Sequence, residues 1–155
     1  MTAGFWPRLL LFGALCAATA GIGARFTARG LGPWYDGLAK PPWTPPGSVI
    51  GAVWTVLFAL IAVASALAAG RGRPIAYVLA LLVNLVLNAG WSYLFFARRA
   101  PEAALALLVV LELTCLLLVW LAWPASRLAA GLLVPYAAWV AFAGLLNGSV
   151  VRMNP

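Results

Sequence analysis

Trp34-Tyr35-Asp36-Gly37-Leu38-Ala39-Lys40-Pro41-Pro42-Trp43-Thr44-Pro45-Pro46-Gly47 is the one long polar interruption in a chain that is otherwise almost wholly apolar. It carries two of the eight tryptophans and four of the eleven prolines. Such a segment cannot cross a bilayer, because proline leaves carbonyls without internal donors. It is also too stiff and too aromatic for a flexible linker. A rigid aromatic loop between two membrane helices is expected to act as a lid over a binding cavity.

The rest of the chain fixes the setting. Of 155 residues, 65% are hydrophobic and 8% are charged, against about 25% charged in a soluble domain. Such a chain cannot cover a water-facing surface, so an integral membrane protein is expected. At about 20 residues per span, five helices fit and seven do not. The expected fold is all-α, a single membrane domain over residues 1–155 built as a bundle of five transmembrane helices. The spans are expected at about 5–24, 48–69, 75–96, 102–123 and 128–150, with a lid loop at 25–47. The first run has features of a signal peptide, with Arg8 before an apolar stretch and Ala18-Thr19-Ala20 as a cleavage-like site. Its length and the four spans that follow favour a retained helix. Small residues at Gly13, Ala17 and Gly21 suggest close contact with a neighbouring helix. Gly70-Arg71-Gly72-Arg73-Pro74 stops the second span and Arg98-Arg99 the third. The last three connections are short, so successive helices are expected to be antiparallel neighbours.

Net charge is +7, yet the basic residues sit singly or in pairs at span ends. That pattern indicates topology and lipid headgroups, not nucleic acid. Arg25, Arg29, Lys40, Arg98, Arg99 and Arg152 fall on one side, and Arg8, Arg71, Arg73 and Arg127 on the other. The bias places the aromatic loop and the C-terminus on the cytoplasmic side. Cys16 and Cys115 lie in separate apolar runs and give no disulfide framework. Histidine is absent, which removes the common zinc and haem ligand sets and His-dependent acid–base chemistry. No metal site and no obligatory cofactor are expected.

Helical spacing aligns the candidate site residues. Trp54, Phe58, Ile61 and Ser65 share one face of the second span. Asn84, Asn88, Trp91 and Phe95 share one face of the third. Leu132, Tyr136, Trp139, Ala143 and Asn147 share one face of the fifth. Amides in hydrocarbon cost several kcal/mol when unpaired, so they must face inward. The functional reading is a flat, aromatic, weakly polar pocket for a large apolar ligand. The plainer reading is interhelical hydrogen bonding by the asparagines and an interfacial tryptophan belt. Glu112, at the middle of the fourth span, is either a proton-coupling group or an acid held within the bundle. Lys40 meets either an anionic ligand group or headgroups, and Asp36 is expected to fix the loop.

The run Trp34-Tyr35-Asp36, Leu38, Lys40-Pro41, Trp43, Pro45-Pro46 and then Trp54 resembles the W-Y-x-x-L-x-K-P-x-W-x-P-P…W signature of the TspO/MBR family of tryptophan-rich sensory proteins, translocator proteins and peripheral-type benzodiazepine receptors. The likeness continues in Asn84, Asn88 and Phe95-Phe96, and in Pro135-Tyr136, Trp139 and Leu146-Asn147, so it covers essentially the whole chain. It implies a five-helix bundle, usually a homodimer, with a cavity under the first loop that binds porphyrins, protoporphyrin IX above all, and synthetic isoquinoline carboxamides and benzodiazepines. By the family pattern that cavity is lined by Tyr35, Trp43, Trp54, Asn88, Trp91, Ser92, Tyr136, Trp139 and Ala143. Lys40 is the added candidate for a ligand carboxylate. The resemblance also implies two alternatives: light-dependent porphyrin degradation, with Trp54 and Trp139 as candidate catalytic residues, and transport of tetrapyrroles or other apolar molecules. The animal sterol motif needs an aromatic residue soon after the Leu–Asn pair. Gly148 follows Leu146-Asn147 here, which argues against sterol binding.

Overall fold

Each long apolar run closes into a helix because no water is available to its backbone inside a bilayer. The computed structural model describes residues 4–71 and 74–155. Within them lie five helices long and apolar enough to cross a membrane: α1 (Phe5–Gly30), α3 (Gly47–Ala68), α4 (Pro74–Ser92, continued by a π turn at Tyr93–Ala97), α5 (Pro101–Ala122) and α6 (Arg127–Met153). A short helix, α2 (Pro33–Gly37), lies in the loop after α1. The described residues are helical with no strand, so the all-α membrane bundle inferred from sequence is the observed fold. Gly72 and Arg73, read as part of the stop after the second span, lie outside the described residues.

Local sequence sets the ends. Pro33 and Pro101 open α2 and α5 at the first helical turn, where a missing N–H costs nothing. Ser126 caps α6, its side chain accepting from the Ala129 N–H at 3.2 Å. Before α3, the Pro46 carbonyl accepts from Val49 and Ile50. Two boundaries differ from expectation. α1 runs to Gly30 instead of ending near residue 24, so the lid is shorter, about 31–46. The extra turns carry Arg25 and Arg29, which read as loop by their charge. Cations at a helix C-terminus are favourable, however, and the helix can continue past the hydrocarbon. α6 likewise runs to Met153, with Arg152 in its last turn. Pro135 lies inside α6 without ending it.

Around the bundle the order is α1, α3, α6, α5, α4 and back to α1. The α4–α5 and α5–α6 pairs are neighbours as their short connections require. The α3–α4 pair is not: the two barely touch, because α1 packs between them against both. Their link is a hydrogen bond near the connecting turn, Ser65 Oγ to Tyr77 OH at 3.0 Å. A short connection constrains the ends of two helices and leaves their bodies free to diverge.

Two glycines define how close α1 comes to α4. A Cβ on Gly30 would lie 2.5 Å from the Phe96 carbonyl oxygen, and one on Gly23 would lie 3.4 Å from Ser92 Oγ. The glycines expected to make close contacts, Gly13 and Gly21, have open space where a Cβ would be.

A polar ladder ties α4 to α5 and α6. Tyr136 OH donates to Asn84 Oδ1 at 2.9 Å and accepts from Asn88 Nδ2 at 3.1 Å. Asn84 Nδ2 donates to Thr114 Oγ1 at 2.9 Å. Asn147 Nδ2 donates to the Pro101 carbonyl at 2.8 Å and accepts from Trp91 Nε1 at 3.1 Å. Asn84 and Asn147 thus donate and accept across helix interfaces, and Asn88 donates across one, as burial in hydrocarbon demands.

Candidate functional site

Between α1, α3, α4 and α6, and under the lid, lies a cavity of about 820 Å³. That is within the range of about 300–1,000 Å³ typical of small-molecule sites. α5 contributes no lining residue.

Four kinds of surface meet there. α3 supplies Trp54 and Phe58, whose rings lie 5.6 Å apart. α6 supplies Trp139 and Phe142, 5.2 Å apart and tilted by 34°. α4 supplies Asn88, Trp91, Ser92 and Phe95. α1 supplies a smooth wall of small side chains, Gly13, Ala17, Ala20, Gly23, Ala24, Thr27 and Ala28, with Cys16 among them. Large rings on one side and bare backbone on the other leave room for something wide and flat.

Eight of the ten sequence-chosen binding residues line this cavity: Tyr35, Lys40, Trp54, Asn88, Trp91, Ser92, Trp139 and Ala143. Two do not. Tyr136 is fully buried behind the wall, its hydroxyl spent on Asn84 and Asn88, and its ring lies 6.1 Å from Trp54. It positions lining residues without being one. Trp43 is 48% exposed and packs on Phe142 with ring centroids 5.7 Å apart, closing the lid from outside. The α1 wall was missed as a lining element. Its signal was present, since small residues recur at helical spacing from Gly13 to Ala28, but it read as a helix–helix contact. Sequence alone does not tell a small residue that admits a helix from one that admits a ligand.

The hydrogen-bonding groups of the lining divide into spent and unspent. Trp91 Nε1 is committed to Asn147. Lys40 Nζ is committed too: it donates to the Tyr35 carbonyl and to the Leu38 carbonyl at 3.0 Å, and lies 4.4 Å from the centre of the Tyr35 ring. Its ammonium therefore stitches the lid to itself, a role that sequence did not suggest. Among the described residues, Trp54 and Trp139 make no hydrogen bond through their indole N–H groups, nor does Ser92 through its hydroxyl, and Asn88 has a carbonyl oxygen to spare. The cavity offers aromatic faces and a few neutral polar groups.

The lid sits on a separate apolar cluster of Phe95, Phe96, Ala104 and Val150, against which Trp34, Tyr35 and Leu38 pack. Trp34 meets Phe95 edge-on at 5.9 Å, and the Arg99 guanidinium lies 5.7 Å from the Trp34 ring. Burial, and secondarily the Asp36 carboxylate, push the Tyr35 hydroxyl above the ordinary tyrosine range. The hydroxyl is neutral at physiological pH.

Glu112 is on α5, away from the cavity, with Oε2 buried and without a hydrogen-bond partner among the described residues. Among those residues no group of three His, Cys, Asp or Glu side chains could hold a metal ion. Cys16 on the wall and Tyr35 in the lid are the lining residues able to ligate a metal carried in by a ligand.

Comparison with known proteins gives the family. The model of the TspO/MBR family matches residues 12–153. A tryptophan-rich protein TspO of Chlorobaculum tepidum is 36% identical over 145 residues, covering 91% of this chain and 92% of the relative. The tryptophan-rich sensory protein of Cereibacter sphaeroides is 34% identical over 152 residues, covering 96% and 92%. The human translocator protein is 38% identical over 141 residues, covering 86% and 82%. With five apolar spans and a family match over nearly its whole length, the chain is an integral membrane protein that belongs to the TspO/MBR family.

Proposed function

We propose that this protein is a membrane receptor or sensor that binds protoporphyrin IX, or a related large apolar molecule, in the cavity beneath the lid. The observation that carries the reading is the lining itself: Trp54, Trp91 and Trp139 face a smooth wall of glycine and alanine across about 820 Å³. Tryptophan faces suit an extended π system. The names of two relatives, a sensory protein and a translocator protein, agree with a ligand-handling role. With Lys40 engaged by the lid, a propionate reaching it would have to displace a carbonyl. The macrocycle therefore supplies most of the affinity. Metal-free protoporphyrin is expected to quench tryptophan fluorescence at least as tightly as haem, because no histidine is present to hold iron. Titration of the purified protein with protoporphyrin, cholesterol and a synthetic isoquinoline carboxamide tests the reading. Haem binding far more tightly than protoporphyrin would overturn it.

A second reading, light-dependent breakdown of the bound porphyrin, is favoured by the placement of Trp54 and Trp139 on the wall, their indole N–H groups without a partner among the described residues. Their replacement by phenylalanine separates the two: binding retained with breakdown lost supports a redox role, and both retained removes it. Transport coupled to protons through Glu112 has less support, because α5 takes no part in the cavity. The reading also includes a homodimer in the bilayer with lid and C-terminus on the cytoplasmic side. The arginine bias and the exposed apolar residues of the spans support it.

A further inference from the structure

The lid is stiff within itself. Lys40 ties the carbonyls at the end of α2 to the following strand of chain, and Thr44 closes the next turn, its hydroxyl donating to the Pro41 carbonyl at 2.7 Å. Its two ends are built differently from its middle. Gly32 has φ +105°, a conformation that side chains other than glycine's rarely adopt. At the other end Pro45-Pro46-Gly47 leads into α3 without an internal hydrogen bond until Val49.

Between these ends, one residue outside the lid holds its backbone. Asn154, just beyond the end of α6, accepts from the Ala39 N–H at 3.0 Å and donates to the Ala39 carbonyl at 2.9 Å. Its amide nitrogen also donates to the Val150 carbonyl at 2.7 Å, which fixes the side chain on α6. Among the described residues, apart from the local bonds where the chain leaves α1 and enters α3, the two to Ala39 are the hydrogen bonds from lid to bundle. The remaining attachments are ring contacts, which tolerate sliding, whereas a paired amide–peptide clasp is either made or broken.

We infer that Asn154 is the latch of the lid, and that breaking its two hydrogen bonds to Ala39 sets how fast molecules pass between water and the cavity. Its effect falls on exchange and not on affinity, because Asn154 does not line the cavity. The latch is independent of what the ligand is, and its test contains no porphyrin. Its failure is therefore distinct from failure of the function proposed above.

Cys16, on the cavity wall, is the reporter. Its modification by a small charged methanethiosulfonate reagent, followed by peptide mass in the bilayer-reconstituted protein, measures access from water. Asn154→Ala is expected to label about tenfold faster than the unaltered protein, the effect of losing two neutral hydrogen bonds. Asn154→Asp, which keeps the acceptor and loses the donor, is expected to fall between. Ser149→Ala, near the same end of α6, loses only a bond to the Leu145 carbonyl and is expected to label at the unaltered rate. Equal rates for Asn154→Ala and the unaltered protein would overturn the inference. So would an acceleration by Ser149→Ala as large as that of Asn154→Ala.

Discussion

A hydroxyl sealed among three helices can find its partners only there, and Tyr136 has found two. It holds Asn84 and Asn88 of α4 at once, and Asn88 is the polar group it presents to the cavity. Tyr136→Phe is expected to destabilise the protein by about 1–3 kcal/mol, the cost of leaving buried polar groups unpaired. Membrane proteins often recover part of such a loss through new partners, so the lower half of that range is expected. The midpoint of unfolding in mixed micelles measures it, and an unchanged midpoint contradicts the ladder. Tyr35 carries a pH consequence. Its neutral hydroxyl is favoured by burial and by Asp36. The stability it lends the lid is therefore complete below the ordinary tyrosine value of about 10 and is lost as pH rises through its raised value. The difference between the ultraviolet titrations of the unaltered protein and Tyr35→Phe should show one phenol ionising above about pH 10. One ionising at or below it would show that Tyr35 is solvated.

At the scale of elements, the crossing of α1 with the π turn after α4 is the tightest constraint on the roof of the cavity. Gly30 lies where any side chain would strike the Phe96 backbone, and backbone cannot rotate aside as a side chain can. Gly30→Ala is expected to cost about 1–3 kcal/mol through overpacking and to loosen the lid, which starts one residue later. Gly21→Ala, on the same helix with open space around it, is the matched control and is expected to be neutral or slightly stabilising. Equal effects of the two on the unfolding midpoint would contradict this account. These elements also show what the sequence made legible. Five apolar runs of spanning length, with proline and arginine between them, dictate five helices because the bilayer leaves the backbone no alternative. The stripes Trp54–Phe58, Asn88–Trp91 and Trp139–Ala143 were readable because helical spacing alone puts them on one face. The wedging of α1 between α3 and α4 was not, because it depends on which of many apolar faces pack best. The π turn at Tyr93–Ala97 and the self-stitching of Lys40 were hidden for a related reason: each rests on backbone carbonyls, which sequence does not distinguish.

For the whole molecule, the arrangement amounts to four helices around a cavity, a fifth bracing them from outside, and a lid above. α5 buttresses α4 and α6 through Asn84–Thr114 and Asn147–Pro101 and leaves the cavity to the others. The proposed ligand should occupy this cavity and not the lipid-facing surface. Ala143 lines the cavity, whereas Leu145, two residues on, is 69% exposed. Tryptophan-fluorescence titration with protoporphyrin IX of Ala143→Phe and Leu145→Phe, beside the unaltered protein, tests the claim most directly. Filling the cavity with Ala143→Phe is predicted to weaken binding by about a hundredfold or more, a loss of roughly 2.7 kcal/mol, while Leu145→Phe binds as before. Equal affinity in all three would place the porphyrin outside the cavity and contradict the account.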